Sequence, residues 1–444
     1  MTTIRAFVHG AICALAICCA GAQGQASPKD VLKSINEYRA QVLKEARESG
    51  KPISLAVLND GLKAKAEEAI KGVDPSKVDA KDAYDWAQIF SMAGRHKEVC
   101  DLCHKFLTSS PTPEAKYAAQ MLMMNSCNTL GESEMLTMTL KDIVPVNAAT
   151  GRSLMSMTAN LYADTIAKGQ GVDEAIKVLD SIAAKLPAED HRANAQKMLD
   201  AAKQREAQNP PATAPKSDAE RLADFEATSR STEVAARFAI VDKKFELLNS
   251  AGKAAEAKTI LKTFAAGVDP KLPAARTILA TVKRMDMVGA PAVALNVERT
   301  YGDFKGLSAL KGKVVLIDFF AHWCGPCKAS YPEMRKMFDE LNPKGLEIVG
   351  VTTYYGYYGQ ESIAKRDMPK DTEFAKMADF IKEFNIAWPI VYGDRTNFEA
   401  YGVTGIPQVT VIDRQGNIHS FDIGYSPALF KKFREEIEKL IAEK

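Results

Sequence analysis

The sequence predicts a two-part α + α/β protein, a long all-helical array joined to a C-terminal domain built on a mixed sheet. Three observations carry this. From residue 29 to about 205, apolar residues recur at helical spacing and strand-like alternation is absent. Between 286 and 444, short apolar runs alternate with helical stretches and end in a hairpin, the mark of an α/β sheet of mixed direction. Between them, Asn209-Pro-Pro-Ala-Thr-Ala-Pro215 breaks the helical texture and reads as a linker over 206–217. The length, 444 residues, exceeds the roughly 100–200 of one domain. Lys and Arg number 58 against 56 Asp and Glu, so no strong field recruits nucleic acid or an anionic membrane. With 26% charged and 46% hydrophobic residues, disordered, collagen-like and disulfide-dense miniprotein classes are excluded.

The N-terminus places Arg5 before the apolar run Ala11–Ala20 and the small triplet Ala20-Gly21-Ala22. This predicts a cleavable secretory signal over 1–22. The run is short for a membrane span; an uncleaved anchor is the alternative. A lipidated cysteine fits poorly, because Cys18 follows Ile17 rather than a small residue. The expected location is therefore secreted or periplasmic, where disulfides form. Three of eight cysteines fall in this signal. The other five, Cys100, Cys103, Cys127, Cys324 and Cys327, cannot all pair within one chain.

In the array, Ala87, Gly94, Val99, Phe106 and Pro111 recur 76 residues on as Ala163, Gln170, Ala175, Ile182 and Pro187. The offsets are those of a helix–turn–helix unit. A small residue lets two helices approach, Gly94 suits the turn, and Pro ends the unit. A degenerate copy lies around Met124, Gly131, Leu136 and Ile143, and a partial one at Phe245, Gly252, Ala257 and Phe264. The pattern resembles the tetratricopeptide repeat, which implies a superhelix with a concave binding face and a protein partner not identified by sequence. Residues 218–284 are helical again and either cap the array or bridge to the C-terminal domain.

After Val288 the texture changes. Strands are expected at Val314–Phe320, Leu346–Thr352, Trp388–Tyr392, Gln408–Ile412 and Ile418–Ile423, with helices at Tyr331–Leu341, Phe374–Phe384, Asn397–Tyr401 and Ser426–Glu443. Trp323-Cys-Gly-Pro-Cys-Lys328 follows the first strand and opens a helix. A thiolate at a helix N-terminus sits near unpaired N–H donors and the positive dipole end, which lowers its pKa and makes it a nucleophile. Cys324 holds that position. Cys327, one turn in and more buried, can resolve a mixed disulfide. A structural disulfide or half of a zinc site are the other readings of the pair, the latter lacking a second Cys/His pair nearby. The residues around His322 lack a peroxiredoxin signature.

The stretch Ile317-Asp-Phe-Phe-Ala-His-Trp-Cys-Gly-Pro-Cys-Lys328 resembles the active site of thioredoxin. Gly402-Val-Thr-Gly-Ile-Pro407 resembles the segment carrying that fold's cis-proline. Leu310-Lys-Gly-Lys-Val-Val315 and Val411-Ile-Asp-Arg-Gln-Gly416 resemble the secreted TlpA/ResA-like branch. The resemblance covers about 286–444 and implies a thioredoxin fold. It makes Asp318 the buried acid that accepts the proton of Cys327, the alternative being a surface strand carboxylate. Thioredoxin pairs this acid with a Lys on the neighbouring strand, whereas Glu347–Thr353 offers none. It also makes Pro407 cis, with the Ile406 main chain presented to an extended substrate. Trp323 reads as a flat apolar contact beside the nucleophile, or as core.

Cys100-Asp-Leu-Cys103-His104, with His96 and Cys127 near in sequence, reads as core cysteines, as a disulfide to Cys127, or as a metal site. Methionines 121, 123, 124, 135, 138, 155 and 157 read as core filler rather than a copper cluster. Tyr354-Tyr-Gly-Tyr-Tyr-Gly359 reads equally as a recognition loop and as an aromatic cover.

The function expected is a thiol–disulfide oxidoreductase acting on exported proteins, with no cofactor beyond the Cys324–Cys327 disulfide and no metal. Its Cys-Gly-Pro-Cys motif resembles reducing members, so a membrane electron donor is implied. The alternative is a helical-repeat binding scaffold with an accessory redox domain.

Overall fold

Side chains that satisfy the free N–H groups of a first turn fix where these helices begin. In the computed structural model, which describes residues 26–49, 54–210, 216–359 and 367–443, Ser27, Thr112 and Asn147 each accept such a bond, and Pro28 and Pro113 open their helices. The predicted signal at 1–22 lies outside the described residues. Among the described residues, no helix is long and apolar enough to cross a membrane. The chain divides into two compact units, 1–188 and 189–444.

The first unit runs through α1 (Pro28–Glu48), α2 (Leu55–Ala69), α3 (Ala83–Met92), α4 (His96–Leu107), α5 (Pro113–Leu130), α6 (Ser133–Asp142), α7 (Ala148–Met157), α8 (Ala163–Gln170) and α9 (Val172–Ala184). Successive helices α3, α4, α5 and α6 pack on one another, and α8 packs on α6 and α9. The small residues of the sequence pattern lie inside these contacts. Ala87, Val99 and Ala175 are fully buried, and Ala163 nearly so. Gly94 turns the chain between α3 and α4 at φ +73°, a conformation that costs other residues steric strain. In the second copy Gln170 occupies the matching position, and the turn slips one residue to Gly171 at φ +93°. Gln170 instead reaches the preceding pair, donating to the Ser133 carbonyl (2.7 Å) and Thr137 Oγ1 (2.8 Å). The methionines do not act as one group. Met123, Met124 and Met155 are core, but Met135 and Met138 on α6 are exposed, which corrects their reading as filler.

The second unit opens with α10 (His191–Gln208), α11 (Asp218–Ser250), α12 (Ala254–Ala266) and α13 (Pro273–Met287). α10 begins within the stretch 29–205 read as array and runs into the first residues of the linker expected over 206–217, yet it groups with α11. Arg221 forks onto Glu206 (2.7 and 3.1 Å), and His191 sits between Ser229 (3.0 Å) and Glu233 (3.1 Å). On α13 the buried Arg284 donates to the Gly402 carbonyl and Thr281 Oγ1, tying this helix to the loop that leads into Pro407.

The sheet comes next, with β1 (Arg299–Tyr301), β2 (Val314–Phe319), β3 (Leu346–Thr352), β4 (Ile390–Tyr392), β5 (Gln408–Ile412) and β6 (Ile418–Ile423) in the order β1-β4-β3-β2-β5-β6. β2, β3 and β4 are parallel, whereas β1, β5 and β6 run antiparallel to their neighbours. The three-residue β1 was missed because it is too short to show a period. The associated helices are α14 (Gly325–Leu341), α15 (Lys370–Glu383), α16 (Thr396–Ala400) and α17 (Pro427–Ala442). α14 begins at the Cys-Gly-Pro-Cys motif, as the helix start read there requires, and runs unbroken through the stretch Tyr331–Leu341 with Pro332 in its interior. All six residues of β2 are buried, as expected of a central strand covered on both faces. Val314, Leu316 and Phe320 join one core with Met334 and Met337 of α14 and Phe433 and Ile437 of α17, and Val315, Ile317 and Phe319 join the other with Tyr401.

Candidate active site

The turn after β2 delivers Cys324 to the N-cap of α14. There its Sγ accepts the Cys327 backbone N–H at 3.2 Å. That donor, with the helix dipole behind it, stabilises negative charge on the sulfur. Pro326 stands in the first turn, where its missing N–H has no intrahelical partner to lose. Cys324 and Cys327 are joined as a disulfide, and both sulfurs are covered. Their exposed neighbours are Trp323, Gly325 and Pro326. Trp323 is 43% exposed and lies edge-on to Tyr355 at 5.5 Å, so it is a surface contact and not core.

Asp318 is 1% exposed, which removes the reading of a surface carboxylate. Neither of its oxygens has a hydrogen-bond partner. Its neighbour across the β2–β3 ladder is Gly350, which carries no side chain and so no countercharge. Burial alone pushes the Asp318 pKa up to about 7. The acid opens onto a cavity of about 30 Å³, room for a water molecule, lined also by Ser330, Met334, Pro407, Val409 and Asp422. Ser330 links this cavity to the dithiol, since its hydroxyl donates to the Cys327 carbonyl at 2.8 Å.

The Ile406–Pro407 peptide bond is cis. Pro407 lines the Asp318 cavity, and Ile406 packs against the core cluster that contains both sulfurs. Ile406 precedes β5 and takes no part in the sheet pairing. The fold thus gathers Cys324, Cys327, Asp318, Ile406 and Pro407 at one end of the central strands, with Trp323 at the rim.

Three residues of this neighbourhood were not picked out by sequence. Asp422 lies in one row with Asp318, because Asp318 pairs with Val409 and Val409 with Asp422. Burial, reinforced by Glu436 and opposed by Lys432, pushes its pKa to about 6. The signal was the lone acid next to last in the β6 run, but its meaning needs the register. His322, 2% exposed, is ringed by Tyr355, Tyr357 and Tyr358 at 4.9–5.5 Å. Burial first, then the charge of Lys328, pushes its pKa down to about 4, so it is neutral at physiological pH. Glu373, 1% exposed on α15, accepts the backbone N–H groups of Tyr355 and Gly356, both at 2.8 Å. The tyrosine segment is therefore a pinned aromatic cover beside the dithiol. Glu373→Ala would strand two half-buried amides and lower stability by about 1–3 kcal/mol. The expected result is a lower thermal midpoint, with faster hydrogen exchange at Tyr355 and Gly356 than elsewhere in the domain.

Similarity to known proteins agrees with this geometry. Residues 287–437 match the Redoxin family model. The thiol-disulfide oxidoreductase ResA of Bacillus subtilis is 30% identical over 131 residues, 29% of this chain and 64% of the relative. ResA of Halalkalibacterium halodurans is 27% identical, over 34% of this chain and 76% of the relative. The chain thus spans less than two thirds of the length of the Bacillus subtilis protein. Among solved structures, a thiol-disulfide isomerase from Corynebacterium glutamicum aligns at 20% identity and TM-score 0.29, covering 35% of this chain and 98% of that one. Residues 287–437 of this chain thus match the Redoxin family model and are similar to the ResA thiol-disulfide oxidoreductases.

Proposed function

We propose that the protein is an exported thiol–disulfide oxidoreductase that reduces disulfides of other exported proteins. The observation that carries this reading is the Cys324–Cys327 pair at a helix N-cap, above a buried acid with no countercharge. In the reduced state the Cys324 thiolate attacks one sulfur of the substrate disulfide. The substrate S–S bond breaks and a mixed disulfide forms. Asp318, its pKa near neutrality, takes the Cys327 proton by way of the cavity that Asp318 and Ser330 line, Ser330 being bonded to the Cys327 carbonyl. The Cys327 thiolate then attacks Cys324 Sγ, releasing the second substrate thiol and leaving the Cys324–Cys327 disulfide. Trp323 and the Ile406 main chain receive the substrate as an extended segment. Re-reduction requires an electron donor, for which a membrane reductase is the fitting class in an oxidising compartment.

The helical unit recruits a protein partner in this scheme. Its exposed Met135 and Met138, one turn apart on α6, and the exposed Val144 just beyond support that role. The test is insulin reduction by the full chain with dithiothreitol as donor. Faster precipitation of the insulin B chain than with dithiothreitol alone is the expected result. A rate equal to that background would sink the enzyme reading and leave the scaffold.

A further inference from the structure

We infer that Cys100 and Cys127 form a second thiol–disulfide site, in the helical unit, which closes to a bond stapling α4 to α5. The two residues are 27 apart in sequence and lie on consecutive helices packed against each other. Their Sγ atoms are 3.4 Å apart. Closing to the roughly 2.05 Å of an S–S bond takes a movement of about 1.4 Å, shared between two side chains. Cys103, one turn further along α4, is buried but stands outside this sulfur contact.

The pair is nearly closed to solvent, with Cys100 4% exposed and Cys127 fully buried. It nonetheless lies close beneath the surface, because the exposed Glu132 carboxylate comes within 4.8 Å of both sulfurs. The two thiols differ chemically. The hydrogen bond between them favours negative charge on Cys100 and pulls its pKa down. The same bond, with burial and the charges of Cys100 and Glu132, holds the Cys127 proton in place. Cys100 is thus the attacking sulfur. With a small disulfide such as oxidised glutathione as oxidant, the Cys100 thiolate attacks one glutathione sulfur and the glutathione S–S bond breaks. The first glutathione thiolate leaves and takes a proton from solvent. Cys127, giving its proton to solvent, attacks Cys100 Sγ and expels the second glutathione. The cysteine pair loses two electrons and the glutathione disulfide gains them. The bond closes a loop of helix, turn and helix and removes open states from the unfolded chain.

The test uses the full chain, reduced and then held with oxidised glutathione, with free thiols alkylated in denaturant before peptide mass spectrometry. The same protocol on the Cys324→Ser/Cys327→Ser chain separates this site from the redox pair. The expected result in both is a peptide containing Cys100 linked to one containing Cys127. Lys97 and Lys105 flank both Cys100 and Cys103, so Cys103→Ser assigns the bonded residue by keeping the link. Oxidation also raises the thermal midpoint of the helical unit by about 5–10 °C, a shift that Cys127→Ser removes. Alkylation of both Cys100 and Cys127 under conditions that oxidise Cys324–Cys327 would overturn the inference. So would a link through Cys103, or stoichiometric zinc holding both thiols.

Discussion

Cys324→Ser lowers insulin reduction by the full chain by roughly three orders of magnitude or more, to the rate of dithiothreitol alone. Serine at the N-cap still accepts the residue 327 N–H, so α14 keeps its start and the fold is retained. What disappears is the polarisable sulfur, whose thiolate is accessible near neutral pH; an alkoxide is not. Cys327→Ser behaves differently. The attacking sulfur remains, but no second thiol resolves the mixed disulfide. One round of attack proceeds, and further turnover waits on dithiothreitol to release the mixed disulfide. Equal insulin rates for Cys324→Ser and the unaltered chain would show that another thiol carries the reaction.

Asp318→Asn has the second largest effect, and it acts in opposite senses on rate and stability. As a proton acceptor for Cys327, Asp318 is half ionised at about pH 7, so the rate of the unaltered chain rises through that pH. Asparagine accepts no proton. The expected result at pH 8 is a rate lower by about 10–100-fold, with the rise near pH 7 abolished. Stability moves the other way. The folded-state pKa is raised above the ordinary aspartate value of 3.8, so the unfolded chain releases this proton first. The unaltered protein therefore loses stability as pH rises from about 4 to 7, and the deficit is constant above that. The deficit is on the order of 4 kcal/mol. Oxidised Asp318→Asn should match the unaltered protein at pH 4 and unfold at a higher temperature at pH 8. A gap independent of pH would mean that Asp318 does not titrate inside the fold.

Much of this was legible in the residues. β2 is a continuous apolar run interrupted by one acid, and the Cys-x-x-Cys pair comes after it at a helix start; both are local signals. Gly94 and Gly131 marked turns of the first unit because a left-handed turn favours glycine locally. The illegible parts depend on register and distant packing. Asp422 becomes a neighbour of the Asp318 cavity only once β5 lies between β2 and β6. Glu373 looks like any acid in the first turn of a helix until α15 brings it under the tyrosine segment. Met135 and Met138 share the composition of core methionines, and only the face of α6 they occupy separates them from Met124. The contact between Cys100 and Cys127 was one of three readings from sequence, since spacing alone cannot bring two helices into phase.

The central claim is that Cys324 attacks and Cys327 resolves. The direct measurement is adduct mapping with reduced full-length Cys327→Ser, mixed with insulin, quenched by alkylation and digested for mass spectrometry. The predicted result is a covalent adduct joined through Cys324 and released by dithiothreitol. No adduct, or one carried by Cys100, Cys103 or Cys127, would contradict it.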